Sequence, residues 1–339
     1  MRRLLLLLVS AVLLAGCGDD DPNTTSTGDD ITVVQLNKLH GTSGQACRDS
    51  ANCRLADRME LLFDEIADSG CPDVIALQEV WRGSVPLLMD HAANACPFAY
   101  EVRLVNTQTK IDDEMILSRY PILATDQIGL FPGFRHALWV RIDHPLGPLD
   151  VFTTHLASSS DGATARCDIP NASCPSECLA AGATTRRECQ AVQLALFVEA
   201  KHDVDAPALV TGDFNEEPGS FVYEQFSGRG WTDAYLAAGN AECDPASGAG
   251  CTSGRDDESL TELESPVLNE DERIDFIFVV PPRAGFRCRL EFDPATDRDG
   301  DDTATRIFPP GSPPSCGAAP APICWPSDHM GVELDLNCN

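Results

Sequence analysis

The sequence predicts an α/β protein in which two mixed β-sheets pack face to face and carry their helices on the outside. Three observations lead there. Strand-length apolar runs alternate with helical patterns from residue 31 to the C-terminus. The helices are too few to cover the crossovers of an all-parallel sheet, which leaves two packed mixed sheets. Third, five stretches each bring a polar residue able to handle metal or phosphate to the end of a strand: Val33-Val34-Gln35-Leu36-Asn37, Ile75-Ala76-Leu77-Gln78-Glu79, Thr153-Thr154-His155, Gly212-Asp213-Phe214-Asn215 and Ser327-Asp328-His329. Strand ends deliver side chains to the rim of a sheet, so these endings imply one shared site.

The elements follow in order along the chain. Residues Ile31 to Leu36 read as a buried strand, and Leu55 to Ala67 as a helix with Leu55, Met59, Leu62, Phe63 and Ile66 along one face. Cys71-Pro72 introduces a strand from Asp73 to Leu77, and Val85 to Ala95 reads as helix. Strands follow at Tyr100 to Val105 and Glu114 to Leu117, the second stopped by Ser118-Arg119-Tyr120-Pro121. Ala137 to Ile142 and Leu149 to Thr154 are expected to pair across the turn between them, and a helix from about Thr185 to Ala200 should place Val192, Leu196 and Val198 near one face. Ala208 to Thr211, Ile274 to Val280 and Gly331 to Leu336 complete the strands. Residues 157 to 184 with three cysteines, the acidic and Gly/Ser-rich stretch 236 to 272, and 281 to 324 with nine prolines stand outside this pattern. Each adjoins one of the polar strand ends, so these loops are expected to wall a cleft.

The first residues predict an address. Arg2 and Arg3 precede an apolar run from Leu4 to Leu14, too short to span a bilayer permanently, and Leu14-Ala15-Gly16-Cys17 resembles the lipobox cleaved before a lipid-modified cysteine. Residues 1–16 are therefore expected to be a removed signal peptide, 17–30 a flexible tether lipid-anchored at Cys17, and 31–339 a single domain. The expected location is the cell envelope, outside the cytoplasm, with the membrane as a partner through the anchor. Of 15 cysteines, 14 remain after Cys17, an even number that suits disulfides in an oxidising compartment. Cys47 with Cys53 and Cys243 with Cys251 are the expected local pairs; zinc at Cys174 and Cys178 lacks a second ligand pair at suitable spacing.

Charge narrows the partners. Without residues 1–16 the chain has 22 basic residues against 53 acidic ones, a net charge of −31, and its only lysines are Lys38, Lys110 and Lys201. Such a surface repels a polyanion and gains nothing from counterion release, so no stable nucleic-acid complex is expected. A divalent cation inverts the field locally and admits a single phosphate ester as substrate.

The strand-end residues suit that chemistry. Glu79 is a carboxylate ligand for Mg²⁺ or Mn²⁺, with Asn37 a neutral oxygen beside it. Asp328 and His329 point to opposite sides of an extended backbone, so one can face metal while the other faces water. Asp213 and Asn215 share a side with Phe214 turned to the core, and His155 supplies an imidazolium donor.

The order Asn37, Gln78-Glu79, Thr154-His155-Leu156, Gly212-Asp213-Phe214-Asn215, Arg273-Ile274-Asp275-Phe276 and Ser327-Asp328-His329 resembles the endonuclease/exonuclease/phosphatase superfamily, which includes pancreatic-type deoxyribonucleases, abasic-site endonucleases, inositol polyphosphate phosphatases and neutral sphingomyelinases. Ile116-Leu117-Ser118-Arg119-Tyr120-Pro121-Ile122 adds a further likeness. The resemblance implies a DNase-I-like, four-layered α/β sandwich and divalent-metal-dependent hydrolysis of a phosphate ester, a phosphodiester first. It implies metal ligands at Glu79, Asn37 and Asp328, and Asp275 orienting His329. Asp213 and Asn215 would position nucleophile and phosphate, and His155 would stabilise the transition state. Either Asp213 or His329 would be the base. Asp271-Glu272-Arg273-Ile274-Asp275 departs from the Trp-Cys/Thr-Asp-Arg pattern of the inositol phosphatases. A secreted DNase-like enzyme, a sphingomyelinase-like phospholipase with Phe131-Pro132-Gly133-Phe134 at the lipid, and a non-catalytic binding lipoprotein are the alternatives.

Overall fold

The computed structural model describes residues 30–40, 51–106, 113–169, 172–202, 206–255, 261–267, 269–281, 288–290, 305–308, 316 and 323–338. The expected signal peptide, Cys17, most of the tether, Cys47 and most of 281–324 lie outside them. No helix among the described residues is long and apolar enough to cross a membrane.

The elements in chain order are β1 (Asp30–Asn37), α1 (Leu55–Asp68), β2 (Val74–Val80), α2 (Val85–Ala95), β3 (Glu101–Leu104), β4 (Asp113–Ser118), β5 (Ile122–Leu130), β6 (Arg135–His144) and β7 (Gly147–His155). They continue with β8 (Asp168–Ile169), β9 (Ala172–Ser173), α3 (Ser176–Ala180), α4 (Arg186–Lys201), β10 (Ala208–Asp213), α5 (Phe221–Ser227), β11 (Thr232–Asp233), α6 (Ala234–Ala237), β12 (Asp275–Val280), β13 (Cys288–Leu290), β14 (Thr305–Phe308) and β15 (Gly331–Cys338). One sheet has the order β13-β15-β1-β2-β4-β3 with β14 also on β15, and the second β11-β12-β10-β7-β6-β5. The pairs β1–β2 and β7–β10 are parallel, and their neighbours are antiparallel. Both parallel pairs therefore end at one rim, where β12 and β15 begin.

Alternation along each strand builds the layers. Ile31 and Val33 of β1, Val74 and Ala76 of β2, Leu149 and Val151 of β7, Leu209 of β10 and Ile277 of β12 face one another between the sheets. Val34 and Leu36, on the other face of β1, meet Met59, Leu62 and Phe63 of α1 and Leu88 of α2. Phe152 and Val210, on the other face of the second sheet, meet Leu194 and Val198 of α4 and Phe226 of α5. The result is helix, sheet, sheet, helix in four layers, as the sequence predicts.

Two features depart from the sequence reading. Strand β5 escapes a hydropathy reading because most of its residues are exposed or half-exposed, as an edge strand allows. The helix at 186–201 buries Ala191, Leu194, Ala195, Phe197 and Val198 against the second sheet, whereas Leu196 is 40% exposed. Val198 packs on that sheet, Val192 packs instead among the cysteines Cys167, Cys174, Cys178 and Cys189, and Leu196 belongs to neither cluster. The cysteines follow the expectation: Cys174 and Cys178 bond Cys167 and Cys189 as disulfides, and Cys243 bonds Cys251. Cys53 is disulfide-bonded as well, and Cys71–Cys96 and Cys316–Cys324 are further pairs.

Candidate active site

At the rim the inward-facing positions turn from hydrocarbon to polar. Gln35 Nε2 donates to Gln78 Oε1 at 2.8 Å and to Asp275 Oδ1 at 3.0 Å, while Gln78 Nε2 donates to Thr153 Oγ1 at 2.9 Å. All four side chains are buried, and these bonds tie the two sheets together immediately beneath the site. An unpaired buried polar atom costs about 1–3 kcal/mol, which these bonds avoid for the groups they join, while Gln35 Oε1 is buried without a hydrogen-bond partner among the described residues.

Above it, Asn37 ends β1 and directs Nδ2 to both Glu79 Oε1 and Asp213 Oδ2, each at 3.0 Å, while its Oδ1 accepts from the Leu39 N–H at 3.2 Å. Glu79 lies within a register shift of β2 between Leu77 and Val80 and has φ 55°, a left-handed conformation that costs a non-glycine residue of order 1–3 kcal/mol and concentrates at functional sites. Its Oε2 accepts from the His40 N–H at 3.1 Å. Gly212 lets β10 approach β7: with φ 145°, a Cβ there would lie 2.1 Å from the Thr154 carbonyl oxygen. That approach aligns Asp213 with His155 on one side and Asp275 on the other.

Asp213 is the centre. Its Oδ1 accepts from the Asn215 N–H at 2.8 Å, and its Oδ2 lies 3.3 Å from His155 Nε2 and 3.9 Å from His329 Nε2. Asn215 has φ 53° and donates Nδ2 to the Leu156 carbonyl at 2.9 Å, so a tight turn replaces the extended Asp-Phe-Asn that the sequence suggests. Phe214 is buried against Phe226, Phe276 and Phe278 as expected. His329 Nδ1 lies 2.9 Å from Asp275 Oδ2. Ser327 donates Oγ to the Asn37 carbonyl at 2.5 Å and accepts from the His329 N–H at 3.2 Å, which pins the last motif to the end of β1.

Electrostatics here are dominated by carboxylates. Burial lowers the His329 pKa, but Asp275 foremost, with Asp213 and Asp328, outweighs it and holds the imidazole well above its ordinary value. Burial pushes Asp275 up while His329 pulls it down. The 2.9 Å contact makes the ion pair, with His329 protonated, the state we assign. Burial and then Glu79 raise Asp328, against His329, Ser327 and Arg58. Arg58, from the apolar face of α1, is fully buried and lowered by that burial to about 10, although Asp328 and Glu79 oppose the shift. It donates to the carbonyls of Lys38, Leu39, Cys53 and Pro326 and so clamps the chain around the rim.

Donor atoms of Asp213, Asp275 and His329 all lie within 4.8 Å of one another, a grouping able to hold a metal ion. The four carboxylates of Glu79, Asp213, Asp275 and Asp328 outnumber the two cations beside them, protonated His329 and carbonyl-bound Arg58, and this excess negative charge at a largely buried place fits a hard cation. The structure thus brings Asn37, Glu79, His155, Asp213, Asn215, Asp275, Asp328 and His329 to one rim. Sequence reading missed Arg58, Gln35, Thr153 and Arg135. The first two carry a signal, a polar residue inside an apolar stripe; Thr153 and Arg135 carry none.

The model of the endonuclease/exonuclease/phosphatase family matches residues 44–329, which include every one of these site residues except Gln35 and Asn37. Among solved structures, an endonuclease/exonuclease/phosphatase from Bacteroides vulgatus superposes with a TM-score of 0.60 at 18% identity, covering 91% of this chain and 99% of that one. A humanized D. rerio TDP2 with 14 mutations gives 0.58 at 18% identity over 91% and 99%, and a mannosyl-6-phosphatase from Bacteroides thetaiotaomicron 0.57 at 19% over 90% and 99%. Identities this low show the shared fold. No curated protein matches the chain. The chain belongs to the endonuclease/exonuclease/phosphatase family, and that membership supports hydrolysis of phosphate esters.

Proposed function

We propose that this family member is a divalent-metal-dependent phosphodiesterase acting outside the cytoplasm, tethered to a membrane by lipid on Cys17. The observation that carries the reading is the convergence of Glu79, Asp213, Asp275 and Asp328 with His155 and His329 where the parallel strands of both sheets end. Glu79 and Asp328 would hold Mg²⁺ or Mn²⁺ with Asn37 and Asp213 beside them. A bound cation of this kind neutralises phosphoryl oxygens and offsets the carboxylates that keep His329 protonated.

The roles of the chain's own groups follow from their hydrogen bonds. Asp213 already accepts from Asn37 and from the Asn215 N–H, so both of its oxygens are engaged. His329 has Nδ1 engaged by Asp275 and Nε2 directed at the site, so it is the group we assign to take the proton of the attacking water. Asp275 stabilises the imidazolium that results and is itself held by Gln35. His155, on the opposite side of Asp213, donates to a non-bridging oxygen. A diester carries one negative charge where a terminal monoester carries two, and Arg58 spends its donors on carbonyls; the site therefore favours the diester.

Purified protein would be assayed on bis(p-nitrophenyl) phosphate, a phosphomonoester, duplex DNA, sphingomyelin and glycerophosphodiesters, with and without EDTA. Metal-dependent turnover of the diesters is expected, and full activity in chelator would overturn the reading. Phe134, 37% exposed on the turn before Arg135, keeps a lipid headgroup among the substrates worth resolving. For DNA, the net charge of −29 over the full chain predicts weak binding with a shallow salt dependence. A slope equivalent to about six or more phosphate contacts would put a nuclease first. Binding without turnover on any ester would leave a binding lipoprotein on the same scaffold.

A further inference from the structure

His155 Nδ1 lies 2.8 Å from Nη1 of Arg135. A guanidinium has five donors, no acceptor, and a proton it does not release in proteins. The contact is therefore a hydrogen bond only if Nδ1 supplies the lone pair. The proton of the neutral ring then sits on Nε2, which faces Asp213 Oδ2 at 3.3 Å.

We propose that Arg135 is a positioning residue that fixes His155 as a neutral imidazole protonated on Nε2 and aimed at the face where the phosphoryl group is held. The catalytic consequence rests on the phosphoesterase reading above; the tautomer rests on geometry alone.

The surroundings hold this arrangement in place. The Arg135 and His155 side chains are only 7% and 4% exposed, so neither rearranges freely. Asp161 forms an ion pair with Arg135 and balances its charge. Asp161 is itself fixed by a capping box with Ser158, whose N–H it accepts at 3.3 Å. Arg135 opens β6, and the β6–β7 ladder, with Ala137 opposite Thr154, carries it alongside the end of β7. A carboxylate in its place would hold the proton on Nδ1 and draw the ring toward imidazolium, as Asp275 does at His329. The cation instead leaves His155 without a lone pair on the nitrogen facing the site. His155 can then donate there and cannot act as the base, which separates the proton tasks of the two histidines.

The test is a long-range proton–nitrogen correlation spectrum of the metal-free protein, labelled with ¹⁵N-histidine, near neutral pH, with His155→Ala assigning the signal. A pyridine-like Nδ1 and a pyrrole-like Nε2 are expected. In Arg135→Gln the ring should lose this single tautomer, and kcat on bis(p-nitrophenyl) phosphate with Mg²⁺ should fall about 10- to 100-fold with KM unchanged. Arg135→Lys retains a donor without an acceptor, so it should keep the tautomer and restore most of kcat. A wild-type His155 protonated on Nδ1 or on both nitrogens would overturn the proposal, as would a His155 signal that Arg135→Gln leaves unchanged. If Arg135→Gln does not fold, loss of the tautomer in folded Arg135→Lys overturns it too. Absence of turnover in a wild type that shows the expected tautomer would count against the phosphoesterase reading and leave the Arg135 lock standing.

Discussion

The two histidines beside Asp213 are the same residue in opposite company. His329 bonds a carboxylate, Asp275, at 2.9 Å, and His155 bonds a guanidinium, Arg135, at 2.8 Å. The carboxylate raises the affinity of its imidazole for a proton, whereas the guanidinium claims a lone pair and dictates which nitrogen keeps the hydrogen. Proton tasks at this rim are thus assigned by the partner behind each ring, out of reach of the substrate.

The largest expected effect removes what both halves act upon. Glu79→Gln, or EDTA on the wild type, should lower diester turnover by several powers of ten, with Mg²⁺ or Mn²⁺ restoring only the wild type. Retained activity in either condition would separate Glu79 from the metal.

Next come the rings themselves. His329→Ala is expected to reduce kcat by about 10²–10⁴-fold, the range of a general base, and His155→Ala by roughly 10²–10³-fold, that of a lost transition-state donor. KM should change little in both. A variant that raises KM and leaves kcat alone would remove its histidine from the reaction and end the symmetry of roles.

A subtler test isolates the carboxylate behind His329. In metal-free protein the His329 resonance should titrate well above an ordinary imidazole, and in Asp275→Asn it should fall, because the foremost group raising it is gone. The linked stability has a definite sign. A folded pKa above the unfolded one stabilises fully below the unfolded value near about 6.5, and that contribution is lost as pH rises through the folded value. Denaturant melts of the metal-free protein across this window should therefore show stability declining with pH in the wild type and less so in Asp275→Asn; parallel curves would contradict the ion pair.

The smallest effect on turnover is expected on the His155 side. Cys178–Cys189 anchors the start of α4, where Arg187 and Gln190 both bond Ala157, two residues beyond His155. Replacing both cysteines by alanine should lower stability by about 2–3 kcal/mol, as for a short closed loop, with only a minor change in kcat. A kcat loss matching that of His155→Ala would show that the loop tunes the ring directly.

The rim residues were legible because a strand that changes from apolar to Asn, Glu, His or Asp at its last position announces its own end. Asn37, His155 and Asp213 close strands in this way, Glu79 stands one residue before the end of its strand, and Asp275 opens one. The helix start at Thr185 was equally local, since its capping box with Glu188 spans three residues. Edge strand β5 was not legible, because most of its residues are exposed or half-exposed and only Leu130 at its end is buried.

Two kinds of information therefore built this site. The sequence by itself determined the fold class, the alternation that sorts residues between the inter-sheet core and the helices, and the identities gathered at the rim, because each is written in spacings of a few residues. Only the tertiary structure decided who partners whom. Gln35 meets Asp275 across 240 residues, Arg58 closes on Pro326 across 268, and Arg135 reaches His155 through the β6–β7 ladder. Such pairings depend on strand register and on the stacking of two sheets, which fix positions in space that no local pattern encodes.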